Sequence, residues 1–526
     1  MSDRLWNPRF ARLPCFAVVV LVGLFAATTN ADIEDRDWCV ASTIHFDLVS
    51  DLPREEALAL LGALDQFRLA TAPLLPGHSD VPATPLKLLV FARARDFDTT
   101  FNSTTMAGFA RPSLDQSLLV SRPDRDRGHL LRNVYHEYTH YLIRSRAFLN
   151  LPIWYEEGLA SYLSTLVVEP DGTTVVGRVP YDYIRRALLD PGISVIHILG
   201  QRFRLGVGSH QVSNTYGVAW ALVRFLHHAK APDGSRYASR LGAMLEMIDG
   251  GADSVDAMEA TMGLSPASLK RRLQKYFETD QLPVFRFRAD TADRIAFRYH
   301  CLEPAEARHE LAMAAAFHHP QFAVSLFSET IESAPDHTGA LVGLSRLMDG
   351  ERAVELAERA HRIDPDDGRA KIRLAEMRLR GCQTDLTTGR SRGDGTRKGD
   401  AMPRDGRPRP ANGHAVTASC AQKISDAIAL YREALEMPGH AGAAAYGLGV
   451  VSLMVGRSDD ALTYLRAAYA RASWSPQISF FLGEAYRRSG DLLRARQYFT
   501  KSAHWHPEQS WRDRSDLVLA SIAQGQ

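Results

Sequence analysis

A fixed period near the C-terminus restricts this chain more than any other feature. Leu448-Gly449, Gly456, Ala461, Tyr464 and Leu465 return thirty-four residues later as Leu482-Gly483, Gly490, Ala495, Tyr498 and Phe499. Ala427, Leu430 and Tyr431 fall one period earlier, and Ala323 to Pro335 (AVSLFSETIESAP) and Ala353 to Pro365 (AVELAERAHRIDP) carry the pattern more loosely. A unit that short cannot close a core of its own. Its open faces must be buried by its neighbours, and small residues at recurring positions let paired helices pack closely. Residues 303–520 are therefore expected to form an all-α solenoid.

The period and the small–large spacing resemble tetratricopeptide repeats. The resemblance implies either a scaffold alone or a concave surface for a protein partner, and both stay open. Cys382 to Lys423 interrupts the array. It is rich in Gly, Arg, Asp and Thr and poor in apolar residues, so 383–419 is expected to be a disordered insertion between the two helices of one repeat. Its basic residues read as a solvated loop. Cys382 and Cys420 flank it where the paired helices would bring its ends together, which makes them a candidate disulfide; Cys39 with Cys301 is a second.

The chemistry-bearing stretch lies elsewhere, at His136-Glu137-Tyr138-Thr139-His140. On a helix, residues four apart share a face, so both imidazoles can reach one metal ion, with Glu137 beside its open side as a general base. Arg127 to Arg146 is expected to be that helix. Leu131, Tyr135, Tyr138 and Leu142 make one apolar stripe, widened by Leu130, Val134 and Tyr141. Asn133, His136 and His140 form a polar stripe that needs partners once buried. After a proline break, Leu151 to Ala160 (LPIWYEEGLA) starts a second helix, with Glu157, Ala160, Ser161 and Ser164 on one face. The small residues beyond Glu157 would let it approach the first helix and add a carboxylate to the histidines.

Upstream, Ser42 to Ser50 alternates like one half-buried strand, Arg54 to Ala72 has helical periodicity, and Leu86 to Ala92 reads as a central strand. A short helix over Asp96 to Phe101 and a hairpin over Met106 to Val120 complete a small mixed sheet. Downstream, Val167 to Val179 reads as a hairpin turning at Asp171-Gly172, and Tyr181 to Leu189 as a helix. Arg202 to Ser213 reads as a loop, Tyr216 as the start of the next helix, and Arg236 to Leu282 as an α-helical lower half. His197, His210, His227 and His228 lack ligand spacing and read as core or solvated histidines.

HEYTH followed by LPIWYEEGLASY resembles the gluzincin zinc metallopeptidases and, within them, the bacterial peptidase MA-like group. The resemblance covers about Thr43 to Leu282 and includes the later helix Tyr216 to Leu226. It implies Zn²⁺ held by His136, His140 and Glu157, with Glu157 preferred over Glu156, and hydrolysis of peptide bonds with Glu137 as base. It further implies that the Tyr216 hydroxyl can donate to the oxyanion formed on the substrate, and that the substrate backbone pairs with the edge of the Met106–Val120 hairpin. Many gluzincins carry an acidic residue one turn after the third ligand; here that region is Ala160-Ser161, which leaves the histidines' outer support unassigned.

Arg4, Arg9 and Arg12 precede an apolar run, Cys15 to Ala27, that is shorter than the roughly 20 residues needed to span a bilayer. Residues 1–31 are thus expected to be a cleaved signal peptide, leaving no stable transmembrane segment and placing the product in the periplasm or outside the cell. A net charge of +1 gives no reason to expect nucleic acid as a partner. The expected architecture is α+β: a zincin-like metallopeptidase domain at 42–285, then the tetratricopeptide-like solenoid at 303–520. The alternatives are an envelope scaffold whose zinc site is structural or weakly active, and a zinc hydrolase acting on a non-peptide amide.

Overall fold

The computed structural model of the protein describes residues 33, 36–75, 85–111, 113–114, 116–123, 127–146, 151–169, 171–179, 195–200, 209–278, 282–288, 295–380, 382, 418–473, 475–505 and 508–524. The expected signal peptide, residues 383–417 of the expected insertion and the expected helix at 181–189 lie outside them.

The segment read as one strand is two, β1 (Cys39–Ser42) and β2 (Phe46–Ser50). Thr43 Oγ1 accepts from the backbone N–H groups of His45 and Phe46, both at 3.2 Å, and turns the chain back on itself. The other upstream elements fall where periodicity puts them: α1 (Arg54–Thr71), β3 (Leu86–Val90), α2 (Ala94–Phe101), and the hairpin of β4 (Gly108–Arg111) and β5 (Leu118–Ser121). The helix α3 (Arg127–Arg146) and then α4 (Ile153–Leu163) follow.

The sheet runs β4-β5-β3-β2-β1-β9, where β9 (Arg298–Cys301) comes from beyond the boundary expected at 285. β2, β3 and β5 are parallel, and the outer pairings are antiparallel. β9 pairs with β1 so that Cys39 faces Cys301, and the two form a disulfide.

A smaller sheet contains β6 (Val167–Val168), β7 (Thr173–Val176) and β8 (Phe285–Arg288), with Gly172 at φ 81° in the expected turn. Between β7 and β8 in the chain come α5 (Val195–Gly200), α6 (Ser209–His228), α7 (Ala238–Asp249), α8 (Ser254–Met262) and α9 (Pro266–Phe277). Of the loop expected at 202–213, residues from Ser209 onward are already helical, so Tyr216 stands two turns inside α6 instead of at its start. Residues 209–215 are polar apart from Val212 but hold neither glycine nor proline, and polarity alone does not stop a helix.

The repeats pair α10 (Pro304–Ala315) with α11 (Pro320–Ser333), α12 (Thr338–Leu347) with α13 (Gly350–Ile363), and α14 (Gly368–Arg378) with α15 (Ala418–Leu435). They continue as α16 (Ala441–Met454) with α17 (Ser458–Arg471) and α18 (Pro476–Arg488) with α19 (Leu492–Trp505), and α20 (Gln509–Ala523) follows. Cys382 and Cys420 are joined at the base of the α14–α15 pair.

The two regions share a core. One face of the larger sheet, through Phe46, Leu48 and Leu88, packs on α1 and α3. The other, through Val49, Leu89, Phe91 and Val120, packs on α2 and the first repeats, including Leu311, Phe327 and Leu341. Each large side chain buried there stabilises by about 1.5–3 kcal/mol, so the division expected between 285 and 303 is not a separable joint. Among the described residues no helix is long and apolar enough to cross a membrane.

Candidate metal centre

The apolar stripe of α3 fixes which way its histidines point. Tyr135 stacks on Phe67 with ring centroids 4.1 Å apart and donates its hydroxyl to the Ala63 carbonyl at 3.1 Å. Tyr138 meets Phe46 edge-on at 5.3 Å. With that side of the helix anchored, His136 and His140 are held on another, their Nε2 atoms 3.1 Å apart.

The second helix delivers Glu157 to them. Glu157 Oε2 lies 3.3 Å from His136 Nε2 and 3.3 Å from His140 Nε2. This oxygen is buried and makes no well-directed hydrogen bond. The three ligand atoms all fall within 4.8 Å of one another. Two imidazole nitrogens and one carboxylate oxygen converging on a point suit zinc and leave a further position for water.

Gly158 lies off the face shared by Glu157, Ala160, Ser161 and Ser164. The small residue after Glu157, Gly158, faces α6 and not α3. A Cβ there would stand 2.8 Å from the Ala219 carbonyl carbon and 2.6 Å from Val223 Cγ2. Glu157 is thus set by how closely α4 can seat on α6.

Glu156, one residue away, serves the back of the site. His140 Nδ1–H donates to Glu156 Oε1 at 2.8 Å, and Arg144 Nε–H donates to the same oxygen at 2.7 Å. Consecutive helical residues point about 100° apart, so neighbouring glutamates reach opposite sides of one imidazole. The Nδ1 bond fixes the ring so that Nε2 faces His136 and Glu157. Ala160-Ser161 is therefore not where the outer support lies. The sequence signal was present in Arg144, one turn beyond His140, and in the paired glutamates, but neither declares itself without the helix-to-helix geometry.

The electrostatics follow. Burial disfavours a charged His140, yet the charge of the neighbouring Glu157 carboxylate and the hydrogen bond to Glu156 outweigh it and push the imidazole up to about 10. Burial would raise Glu157, but His140 and His136 hold it below the usual carboxylate range. Glu156 is likewise held low, against burial, by Arg144 and His140. The surrounding carboxylates thus favour the protonated form of His140.

Glu137 is half-buried beside β4, where a Cβ on Gly108 would stand 3.3 Å from Glu137 Cγ. The Tyr216 ring lies edge-on to His136 with centroids 5.8 Å apart. A cavity of about 500 Å³ adjoins the N-terminal half of α3, between Gln66, His129, Arg132, Tyr135 and Arg178. His227 and His228 are core histidines, contacting Tyr155 at 3.3 Å and Tyr162 at 2.8 Å. The side chains of His197 and His210 lie outside the described residues.

A family model for the tetratricopeptide repeat matches residues 418–475 and 455–509. No curated protein matches the chain. Among solved structures, a thermophilic tetratricopeptide protein of Thermus thermophilus is similar at 18% identity and a TM-score of 0.31, over 41% of this chain and 99% of that one. PilF of Pseudomonas aeruginosa gives 14% and 0.28, over 42% and 93%. Yeast Tom70 gives 13% and 0.26, over 90% and 81%. The repeat assignment rests on the family match and the helix pairs; these scores add nothing to it. The C-terminal region carries tetratricopeptide repeats, which points to a protein-interaction scaffold with protein partners.

Proposed function

We propose that the protein is an exported zinc-dependent peptidase whose repeats recruit a substrate or partner protein. The observation that carries this reading is the position of Glu157 Oε2, 3.3 Å from the Nε2 atoms of both His136 and His140. His136, His140 and Glu157 would hold the ion. When bound, zinc supplies Lewis acidity and makes a water acidic near neutral pH.

The chain's own groups supply the rest. Glu137 accepts a proton from the attacking water at its carboxylate and passes it to the leaving amine. Tyr216 donates its hydroxyl to the oxyanion on the substrate carbonyl. β4 is an edge strand, which favours pairing with an extended substrate backbone. Two disulfides suit an oxidising compartment, in keeping with the expected export signal.

The family match favours a second reading, in which the repeats are the functional part and the zinc site is structural or weakly active. Glu137→Gln separates the two. Under the peptidase reading, wild type holds about one zinc per chain and cleaves members of a diverse peptide library, chelator stops it, and the variant keeps its zinc but not its activity. A zinc-loaded wild type that cleaves nothing, while a partner still binds both proteins, establishes the scaffold.

A further inference from the structure

We propose that the repeats form part of the machinery that positions Glu137, by gripping the two elements between which that residue sits. The inference rests on the peptidase reading of the site.

The first grip is on the β4–β5 hairpin. Its tip enters the repeat array, where Leu114 packs against the cluster holding Ala443, Ala444 and Leu448 and against the one holding Ala445 and Ile478. The approach involves backbone, since a Cβ on Gly442 would stand 2.7 Å from the Leu114 carbonyl oxygen. At the end of β4 itself, Arg111 donates to the Met313 carbonyl in the last turn of α10, at 3.0 Å.

The second grip is on α3. Ser473, just past α17, donates its hydroxyl to the Ser145 carbonyl at 2.6 Å, in the last turn of the helix that carries His136, Glu137 and His140. Glu137 lies on α3 and against β4, with Gly108 as the point of contact. The repeats hold α3 by its C-terminal end and β4 by its hairpin, so they set the spacing of the wall that Glu137 leans on. Leu114 and Gly442 touch neither metal ligand nor reacting atoms; they are positioning residues.

Two variants of the full-length, zinc-loaded protein test this. Leu114→Asp attacks the grip from the hairpin. Gly442→Ala attacks it from the repeat, and because alanine is the better helix former, any loosening comes from the collision with Leu114. Both should retain wild-type zinc content. Hydrogen exchange should quicken across 108–121, and kcat should fall on the order of tenfold to a hundredfold with KM nearly unchanged, as expected when a proton-transfer group is misplaced. Leu114→Met should restore both readouts. Faster hairpin exchange with unchanged kcat would overturn the proposal, as would unchanged exchange in both variants. If Leu114→Asp does not fold, Gly442→Ala decides. If wild type cleaves no peptide, the peptidase reading fails separately. The grip is then judged on exchange across 108–121 and 127–146, and no change in Gly442→Ala sinks it.

Discussion

His140 presents opposite edges of its ring to two consecutive residues: Nδ1 meets Glu156 Oε1 at 2.8 Å, and Nε2 meets Glu157 Oε2 at 3.3 Å. The division of labour is testable. Glu157→Gln removes a charged ligand and should abolish stoichiometric zinc binding. Glu156→Gln keeps the shape but weakens the acceptor for Nδ1–H, and should reduce zinc affinity by about 10–100-fold. Competition against a chromophoric chelator measures both. Equal losses would mean that the two glutamates share one role, and zinc retained at wild-type level in His140→Ala would remove the metal assignment altogether.

The metal-free cluster should exchange a proton for its ion. His140 is pushed up to about 10, so it is protonated at neutral pH when the site holds no cation, whereas a ligating imidazole must be neutral. Zinc binding at pH 7.5 should therefore release on the order of one proton, and affinity should rise with pH toward 10. Calorimetric titration in two buffers of different ionisation enthalpy reads the proton directly. A buffer-independent heat would show that no such proton is stored.

Stability should respond to pH on both sides of the ordinary imidazole value. Burial lowers His227 to about 4 and lowers His228 and His309 to about 3. Groups with depressed folded values contribute stability that is present above 6.5 and lost as pH falls toward 3–4. His140 has the opposite sign: its contribution is complete below 6.5 and lost as pH rises toward 10. Lys501, which burial lowers to about 8, counteracts that loss only above pH 8. Metal-free protein should thus be most stable near pH 6.5, and zinc should remove the decline between 6.5 and 8. Denaturation midpoints from pH 5 to 8, with and without zinc, check this; a flat profile in the metal-free protein contradicts it.

Much of this site was legible because local periodicity carries it. The spacing of His136 and His140, the apolar stripe through Tyr135 and Tyr138, and the proline before α4 each act within a few turns of helix. What stayed hidden depends on partners far away in the chain. β9 reads Arg-Tyr-His-Cys, an alternation only four residues long and too short to declare a strand by itself, and it finds its partner in β1, far upstream. Leu114 looks like any apolar residue in a turn until the repeats close around it. The break after Ser42 was hidden for a different reason. Alternation continues through the turn, which Thr43 closes with its hydroxyl, bonded to two backbone N–H groups, and with its own N–H, bonded to the Phe46 carbonyl.

Gly158 shows how tightly the ligand helix depends on such a distant contact. It adjoins Glu157 in sequence yet points away from His136 and His140, into the backbone of α6 at Ala219. In an isolated helix, Gly158→Ala would be favourable by about 1 kcal/mol. Here the added methyl meets backbone atoms that cannot rotate aside, so α4 must lift off α6. Overpacking of this kind costs about 1–3 kcal/mol, more than the propensity gain. Because Glu157 rides on the same turn, the lift should also spoil its reach to His136 and His140. Gly158→Ala is therefore expected to lower the denaturation midpoint and to reduce zinc affinity together. Retained affinity alongside a lowered midpoint would show that Glu157 is placed by something other than the seating of α4 on α6.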